Sequence, residues 1–262
     1  MNEENKGPAE IRSTRALDFG LAQSQGVMRG ENQDAMLALC WHFLDGAGEH
    51  NLGLFAVADG VGGAPNGQLA SRLAIRRLGQ SVSQDLLEGD DKSPFRAAAS
   101  LRKGFLAAHK AVMDRAQGGG TTLTAVLIED GTLYLAHVGD SRAYRFEHGG
   151  GMVQLSEDDS LIRWMGTDRD TTKGTRNPLR NVLTQAVGQA QGIRPQFLRT
   201  DWSTAFALLL CTDGMWKSLG AEEAEEIVRS GKEPTVVCRL LVNLVNERGG
   251  PDNISAMLVK RE

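Results

Sequence analysis

Five aspartates stand where apolar runs end or turns begin, and they are the residues of this sequence best suited to chemistry. Asp59 ends the run "LFAVAD", Asp140 follows "LAHVG", and Asp213 follows "LLLCT". Asp34 lies in "RGENQDAM" and Asp252 in "GGPDNIS". A carboxylate at a strand end is held by its sheet and points past the edge, so these acids converge if the strand ends share one edge.

Carboxylates that share a small space raise one another's pKa, and divalent cations resolve that conflict. Oxygen ligands favour hard ions such as Mg²⁺ or Mn²⁺, and no His or Cys is placed in the sequence to join a softer site. Gly60, directly after Asp59, would let the backbone approach a cation and offer its carbonyl. Each acid alone is more simply a turn residue, Asp252 in "GGPDN" above all. The metal interpretation therefore depends on the joint placement of the five.

The apolar pattern predicts the elements that would carry these acids. The expected strands are Leu52–Gly60, a hairpin of "TTLTAVLI" and "TLYLAHV" around Glu129–Gly131, "RAYRF", "GGGMVQLS", Phe206–Cys211 and Ile254–Lys260. The expected helices begin at the N-cap Asn66, at about Pro94 (running to Gln117), at about Ala221 and at about Pro234. Their predicted apolar faces include Leu69 in the first helix and Met113 in the second. The polar stretch Asp159–Arg180 is expected to be a surface loop or flap.

The order of these elements predicts the fold class. Strands joined by short turns favour antiparallel pairing, and the helices come in pairs between groups of strands. This order indicates an α+β layered domain rather than a doubly wound parallel sheet. No linker or composition shift divides the chain, so residues 1–14 are expected to be a polar N-terminal tail and residues 15–262 a single domain.

The composition argues against several classes of protein. A net charge of −4 and 5% aromatic residues give no basis for binding nucleic acid or a membrane surface. No apolar run approaches the roughly 20 residues that span a bilayer. Cys40, Cys211 and Cys238 are widely spaced and are expected to be free thiols in a reducing compartment. The first ten residues are polar and do not resemble a signal peptide. The expectation is a cytoplasmic monomer.

Eight motifs occur in the order and spacing of a known family. They are "RGENQDAM", "FAVADGVGG", "GTTLTAVLI", "LAHVGDSRAYRF", "LSEDDSL", "NVLTQAVG", "LLLCTDGMW" and "GGPDNISAMLV". From about Asp18 to Lys260 the chain resembles the protein phosphatase 2C-like family of metal-dependent Ser/Thr protein phosphatases, in its bacterial form. The resemblance implies a four-layer α-β-β-α sandwich, with two central antiparallel sheets flanked by helices. It also implies two Mn²⁺ or Mg²⁺ ions at one end of the sandwich.

The resemblance assigns a role to each candidate metal ligand. Asp59 would bridge the two ions, and the Gly60 carbonyl and Asp34 would serve one of them, Asp34 directly or through water. Asp213 and Asp252 would hold the other ion. On this basis residues 15–262 form one phosphatase catalytic domain.

Two further residues take roles from the same motifs. Asp140, in "GDSR", matches the acid that helps bind a third, weaker ion in bacterial relatives. Arg29 stands where the family places the arginine that binds the substrate phosphate. A guanidinium can form two parallel hydrogen bonds to a phosphate, which the ammonium of lysine cannot do. Arg29 and Asp59 are the predicted catalytic residues. A water that bridges the metal ions would become acidic enough to act as the nucleophile on phosphoserine or phosphothreonine.

The sequence departs from the family pattern at two positions. Ala64 stands where many relatives carry a histidine proposed as the general acid, which typically contributes about 10²–10⁴-fold. Slow turnover, or a preference for good leaving groups such as aryl phosphates, would follow. Asp159 stands where relatives often carry histidine and is expected to matter less. His137, in a strand, is expected to be structural, and His109 lies mid-helix.

Two functions remain open at this point. The first is a Ser/Thr protein phosphatase that acts on the phosphoprotein substrates of a Ser/Thr kinase. The alternative is a catalytically weak or inactive module of the same fold that binds phosphoproteins for regulation. All five acids and Arg29 are present, which favours the enzyme, because an inactive relative would usually lack one or more of them.

Overall fold

The structure, a computed structural model, describes residues 17–45, 48–62, 65–88, 96–166 and 182–261. The predicted tail of residues 1–14, Ala64 and residues 167–180 of the predicted flap lie outside these ranges. The part of the predicted flap that the structure describes, Asp159–Gly166, includes a short helix and is not continuous loop.

The described ranges form ten strands and six helices. The strands are β1 (Leu17–Ser24), β2 (Asp34–Asp45), β3 (Gly48–Asp59), β4 (Leu123–Glu129), β5 (Thr132–Val138), β6 (Arg142–Glu147), β7 (Met152–Gln154), β8 (Gln196–Asp201), β9 (Ala205–Cys211) and β10 (Ile254–Arg261). The helices are α1 (Gly67–Glu88), α2 (Arg96–Arg115), α3 (Leu161–Trp164), α4 (Asp213–Trp216), α5 (Ala221–Val228) and α6 (Pro234–Glu247).

The strands form two five-stranded sheets, and every strand pair is antiparallel, as predicted. The first sheet has the order β1-β10-β9-β6-β7, and the second has the order β2-β3-β4-β5-β8. Asp130 and Gly131 both have positive φ, 44° and 84°, which matches the tight turn predicted between β4 and β5.

Alternating side chains build the layers of the sandwich. In β9, Leu208 and Leu210 pack between the two sheets, while Ala207 and Leu209 pack towards α5 and α6. In β3, Phe55 and its alternate neighbours face the same inter-sheet core, and the intervening residues pack under α1 and α2. Because both faces of these strands are buried, their sequences read as continuous apolar runs. The predicted four-layer α-β-β-α architecture is confirmed.

The helices differ from prediction in three details. Leu69 and Met113, assigned to apolar faces, are 41% and 42% exposed. Asn66 stands at the predicted N-cap position, directly before α1, but its φ is +63°, whereas an N-cap residue is typically extended. Its side-chain amide donates instead to the Gln117 carbonyl at 3.1 Å, which ties the start of α1 to the end of α2. Its own carbonyl still accepts the first helical bond, from Ala70.

Candidate metal centre

Four of the predicted acids meet at one end of the sandwich. Asp34 and Asp59 lie directly opposite one another, as the first residue of β2 and the last of β3. The Asp59 carboxyl group interacts with those of Asp34, Asp213 and Asp140. Asp140 follows β5, and Asp213 follows β9 and begins α4 rather than an open turn. Residues from both sheets therefore converge here.

Asp34 is buried and links the two sheets. Its Oδ2 accepts hydrogen bonds from Thr212 Oγ1 at 2.8 Å and from Ser255 Oγ at 2.7 Å, at the ends of β9 and β10. Its Oδ1 is also buried but has no hydrogen-bond partner within the described ranges. Burial raises the pKa of Asp34 to about 7, against the opposing effect of the two hydroxyls. A cation at Oδ1 would favour the ionised carboxylate.

The backbone of Asp59 is fixed by two threonines. Thr122 Oγ1 accepts from the Asp59 amide at 2.9 Å, and Thr121 Oγ1 donates to the Asp59 carbonyl at 2.8 Å. Burial, followed by the negative charges of Asp34 and Asp213, raises the pKa of Asp59 well above its usual range. A carboxyl group in this position loses its proton readily only when positive charge is brought to it.

Gly60 leaves no room for a side chain. A Cβ on this residue would lie 2.6 Å from both the carbonyl carbon and oxygen of Gly67, at the start of α1. The Gly60 amide donates to the Gln33 carbonyl at 3.1 Å. The close approach of α1 to the end of β3 therefore requires a glycine at this position, and this contact sets the path of the backbone beside Asp59.

Lys217 pairs with two of the acids. Its Nζ lies 2.6 Å from Asp213 Oδ2 and 3.4 Å from Asp140 Oδ2. Asp213 Oδ1 is buried, and none of the residues that the structure describes forms a hydrogen bond with it. Burial, followed by the charge of Asp213, raises the pKa of Asp140 to about 7, and Lys217 opposes that rise. Lys217 did not emerge from the motifs, although its position four residues after Asp213 was a signal for an ion pair across one helical turn.

Asp252 and Arg29 form an ion pair, with Arg29 Nη2 2.7 Å from Asp252 Oδ2. Both side chains are partly exposed, at 31% and 45%. The predicted ligand and the predicted phosphate-gripping residue thus contact each other. The Arg29 guanidinium also lies beside Gly62, in the segment that follows Asp59.

Asn253 is a functional residue that sequence reasoning missed. Its Nδ2 donates to the carbonyls of Gln25 and Glu31, both at 2.8 Å, and its Oδ1 accepts from the Gln33 amide at 2.9 Å. These three bonds hold the loop that carries Arg29 and leads into β2. The only signal was its place in "PDN", which is equally typical of a simple turn.

His137 and Asp159 support the turn that presents Asp140. His137 Nδ1 lies 2.8 Å from Thr124 Oγ1 and its Nε2 lies 2.9 Å from the Gly139 carbonyl, so the expected structural role fits. Asp159 Oδ2 accepts from the Gly139 amide at 2.8 Å. Asp159 therefore contacts the residue that directly precedes the candidate ligand Asp140. His109 accepts from the Gly188 amide, through Nδ1.

The residues present fit a hard divalent cation. The donors are carboxylate oxygens, and the described part of the chain supplies no hydrogen-bond partner to two buried ones, Asp34 Oδ1 and Asp213 Oδ1. Within the described ranges, no three His, Cys, Asp or Glu side chains are arranged to hold a metal ion as they stand. The ion pairs of Asp252 with Arg29 and of Asp213 with Lys217 account for part of that arrangement.

Comparison with known proteins decides the family. A model of the protein phosphatase 2C family matches residues 30–256. The chain belongs to the protein phosphatase 2C family. It is 30% identical over 246 residues to the protein phosphatase PhpP of Streptococcus pneumoniae, a match that covers 93% of this chain and 97% of that protein.

Solved structures agree with the fold. The serine/threonine phosphatase of S. agalactiae superposes with a TM-score of 0.78 at 27% identity, over 94% of this chain and 100% of that one. The catalytic domain of the serine/threonine protein phosphatase PstP, in complex with two manganese ions, superposes with a TM-score of 0.71 at 26% identity, over 95% and 99%. The predicted family and the enzyme class of that family, phosphoprotein phosphatase, are confirmed. None of the described helices is long and apolar enough to cross a membrane.

Proposed function

We propose that this chain is a metal-dependent Ser/Thr protein phosphatase that hydrolyses phosphoserine and phosphothreonine on proteins. The observation that carries the proposal is the convergence of four carboxyl groups from both sheets, two of which keep a buried oxygen that has no hydrogen-bond partner among the described residues. A protein gains nothing in stability from such an arrangement, because buried, unpaired carboxylates are costly. Divalent cations would make it favourable.

The proposed ligands are Asp34, Asp59, the Gly60 carbonyl, Asp213 and Asp252. Two Mn²⁺ or Mg²⁺ ions at this site would lower the pKa of a bridging water, the proposed nucleophile, and would offset the charge of the phosphoryl oxygens. The chain itself orients Asp34 through two hydroxyls and Asp59 through two threonines.

Arg29 is proposed to bind the substrate phosphate. Its guanidinium is partly exposed and, among the described residues, forms one ion pair, with Asp252. An exposed pair of this kind is worth roughly 0–1 kcal/mol, so a phosphate dianion can draw the guanidinium away. The exchange would also release Asp252 Oδ2 for a cation, which couples substrate binding to the completed site.

The same proposal includes the predicted domain organisation, localisation, oligomeric state and partners. Residues 15–262 would act as a single catalytic domain in the cytoplasm, as a monomer. The partners would be phosphoproteins modified by a Ser/Thr kinase, with no nucleic acid or membrane. Support comes from the family and from the acidic net charge of −4.

The test is release of phosphate from a phosphothreonine peptide by wild type and by Asp213→Asn, with EDTA, Mg²⁺ and Mn²⁺ compared. Asp114→Asn is the matched control, because Asp114 is an exposed acid on α2 paired with Lys110. We expect metal-dependent release by wild type and control, and background release by Asp213→Asn. If saturating Mn²⁺ gives no release from peptide or aryl phosphate, the chain is a binding module and the proposal is wrong.

A further inference from the structure

Lys217 occupies the space between two acids of the candidate metal centre. Its ammonium group lies within 2.6 Å of Asp213 Oδ2 and 3.4 Å of Asp140 Oδ2. The Lys217 side chain is 27% exposed, against 16% for Asp213 and 7% for Asp140. A single covalently attached cation thus pairs with two carboxyl groups that follow different strands, β9 and β5.

The surroundings hold Lys217 in this direction. Lys217 directly follows α4, which places it one turn after Asp213 and on the same face. The neighbouring Trp216 donates from Nε1 to the Asp140 carbonyl at 2.9 Å. Lys217 Nζ lies 5.2 Å from the centre of the Trp216 ring, and the Arg142 guanidinium lies 3.5 Å from that centre on the ring face. The ring is therefore fixed between backbone and arginine, and Lys217 extends beside it.

The two oxygens of Asp213 serve different purposes in this arrangement. Oδ2 contacts Lys217, whereas Oδ1 is buried without a partner. Oδ1 can therefore accept a metal ion while Oδ2 keeps its ammonium. A divalent ion placed between Asp213 and Asp140 would have to displace Lys217, because two cations cannot share that space without repulsion. The tether makes displacement harder, since the ammonium stays close at any metal concentration.

We propose that Lys217 is a built-in cation that excludes metal ions from the Asp140–Asp213 pair and limits this chain to two bound ions. The inference rests on the proposed function, because it presupposes that the remaining acids bind metal. It assigns Asp140 a different role from the one its motif implies. Asp140 would position Lys217, and through it Asp213, rather than hold a third ion.

The experiment counts Mn²⁺ bound per chain by equilibrium dialysis of the full protein. Lys217→Met keeps the length of the side chain and removes the charge, and Lys217→Arg keeps the charge. Lys110→Met is the matched control, because Lys110 also pairs with an acid four residues away, but on the exposed face of α2. Circular dichroism confirms that each variant is folded, and Lys217→Gln replaces Lys217→Met if the latter is not.

We expect two ions on wild type, Lys217→Arg and Lys110→Met, and three on Lys217→Met. The added site should bind Mn²⁺ on the order of ten- to a hundredfold more tightly than the same place in wild type, the usual effect of losing a charge-assisted hydrogen bond. Asp140→Asn added to Lys217→Met should return the count to two, which places the extra ion on Asp140.

Two results would overturn the inference alone: three ions on wild type, or two on Lys217→Met. Absence of Mn²⁺ from every variant would instead refute the proposed function, and the inference with it. The two failures are therefore distinguishable without any measurement of activity.

Discussion

Asp140 allows a direct measurement of the electrostatic conflict among the clustered acids. Burial, followed by the charge of Asp213, raises the pKa of Asp140 from 3.8 to about 7 in the folded chain. Because the folded state then binds a proton more tightly than the unfolded state, this group destabilises the fold increasingly as the pH rises through that range. The cost is small near pH 4 and complete above pH 7. At 1.36 kcal/mol for each tenfold change in proton affinity, it reaches about 4 kcal/mol at pH 8.

Asp140→Asn removes that cost at nearly constant volume and keeps an oxygen that can accept from Lys217. In metal-free protein, we expect the free energy of unfolding of the variant, relative to wild type, to rise by about 2.5 kcal/mol between pH 5 and pH 8. Urea unfolding in EDTA at the two pH values measures this change. Asp114→Asn, an exposed acid on α2, is the control and should shift by less than about 0.5 kcal/mol.

A difference between Asp140→Asn and wild type that is equal at pH 5 and pH 8 would refute the reasoning. So would a wild type that is the more stable of the two at pH 8. Either result would mean that Lys217 alone satisfies both carboxylates and that Asp140 carries its charge without cost.

Two further predictions concern residues around the acids. Arg29→Lys keeps the charge but cannot form two parallel hydrogen bonds to a phosphate, so kcat/KM for a phosphothreonine peptide should fall about tenfold or more. The free energy of unfolding should change by less than about 1 kcal/mol. An unchanged kcat/KM in steady-state assays would show that Arg29 does not bind the phosphate. Asn253→Ala breaks three hydrogen bonds at a residue 5% exposed, so urea unfolding should show a loss of about 2–4 kcal/mol. A loss below 1 kcal/mol would show that water replaces those bonds.

The sequence was sufficient for the layers of the fold and for the strands buried on both faces. Such strands are apolar throughout because alternate residues face different cores. The predictions Phe206–Cys211 and Ile254–Lys260 match β9 and β10 to within a residue, whereas β3 begins four residues before the predicted Leu52. Strands β1, β2 and β8 were missed. Strands β1 and β8 are mostly part-buried edge strands whose polar residues give no clear apolar run. The sheet to which each strand belongs also could not be read from local patterns, since β6 follows β5 closely yet lies in the other sheet.

The sequence predicted the acids of the candidate site but not most of the residues that hold them in place. The motifs supplied Asp34, Asp59, Asp140 and Asp213, and the structure brings these four together. Apart from Lys217, which lies four residues after Asp213, the groups that hold these acids act across a long separation in sequence and could not be foreseen. Thr212 and Asp34, for example, are joined by a hydrogen bond but are 178 residues apart. Such pairs depend on how the sheets face each other, which no local pattern specifies.

The same end of the sandwich is both the candidate metal site and the junction of the two sheets. The acids there differ in their effect on the stability of the metal-free fold. Asp34 accepts from Thr212 and Ser255 across the junction, so its replacement by alanine would leave two buried hydroxyls without an acceptor. Asp140 makes one long contact with Lys217 and is otherwise repelled by Asp213. Removal of the Asp140 charge should therefore stabilise the metal-free fold at high pH. Replacement of Asp34 also relieves repulsion between carboxylates, but the loss of its two hydrogen bonds opposes that gain in stability. Before any ion binds, hydroxyls compensate Asp34, Lys217 compensates Asp213 and Asp140, and Arg29 compensates Asp252. The Asp59 carboxyl group is instead buried among the other acids, so a bound cation would contribute most at Asp59.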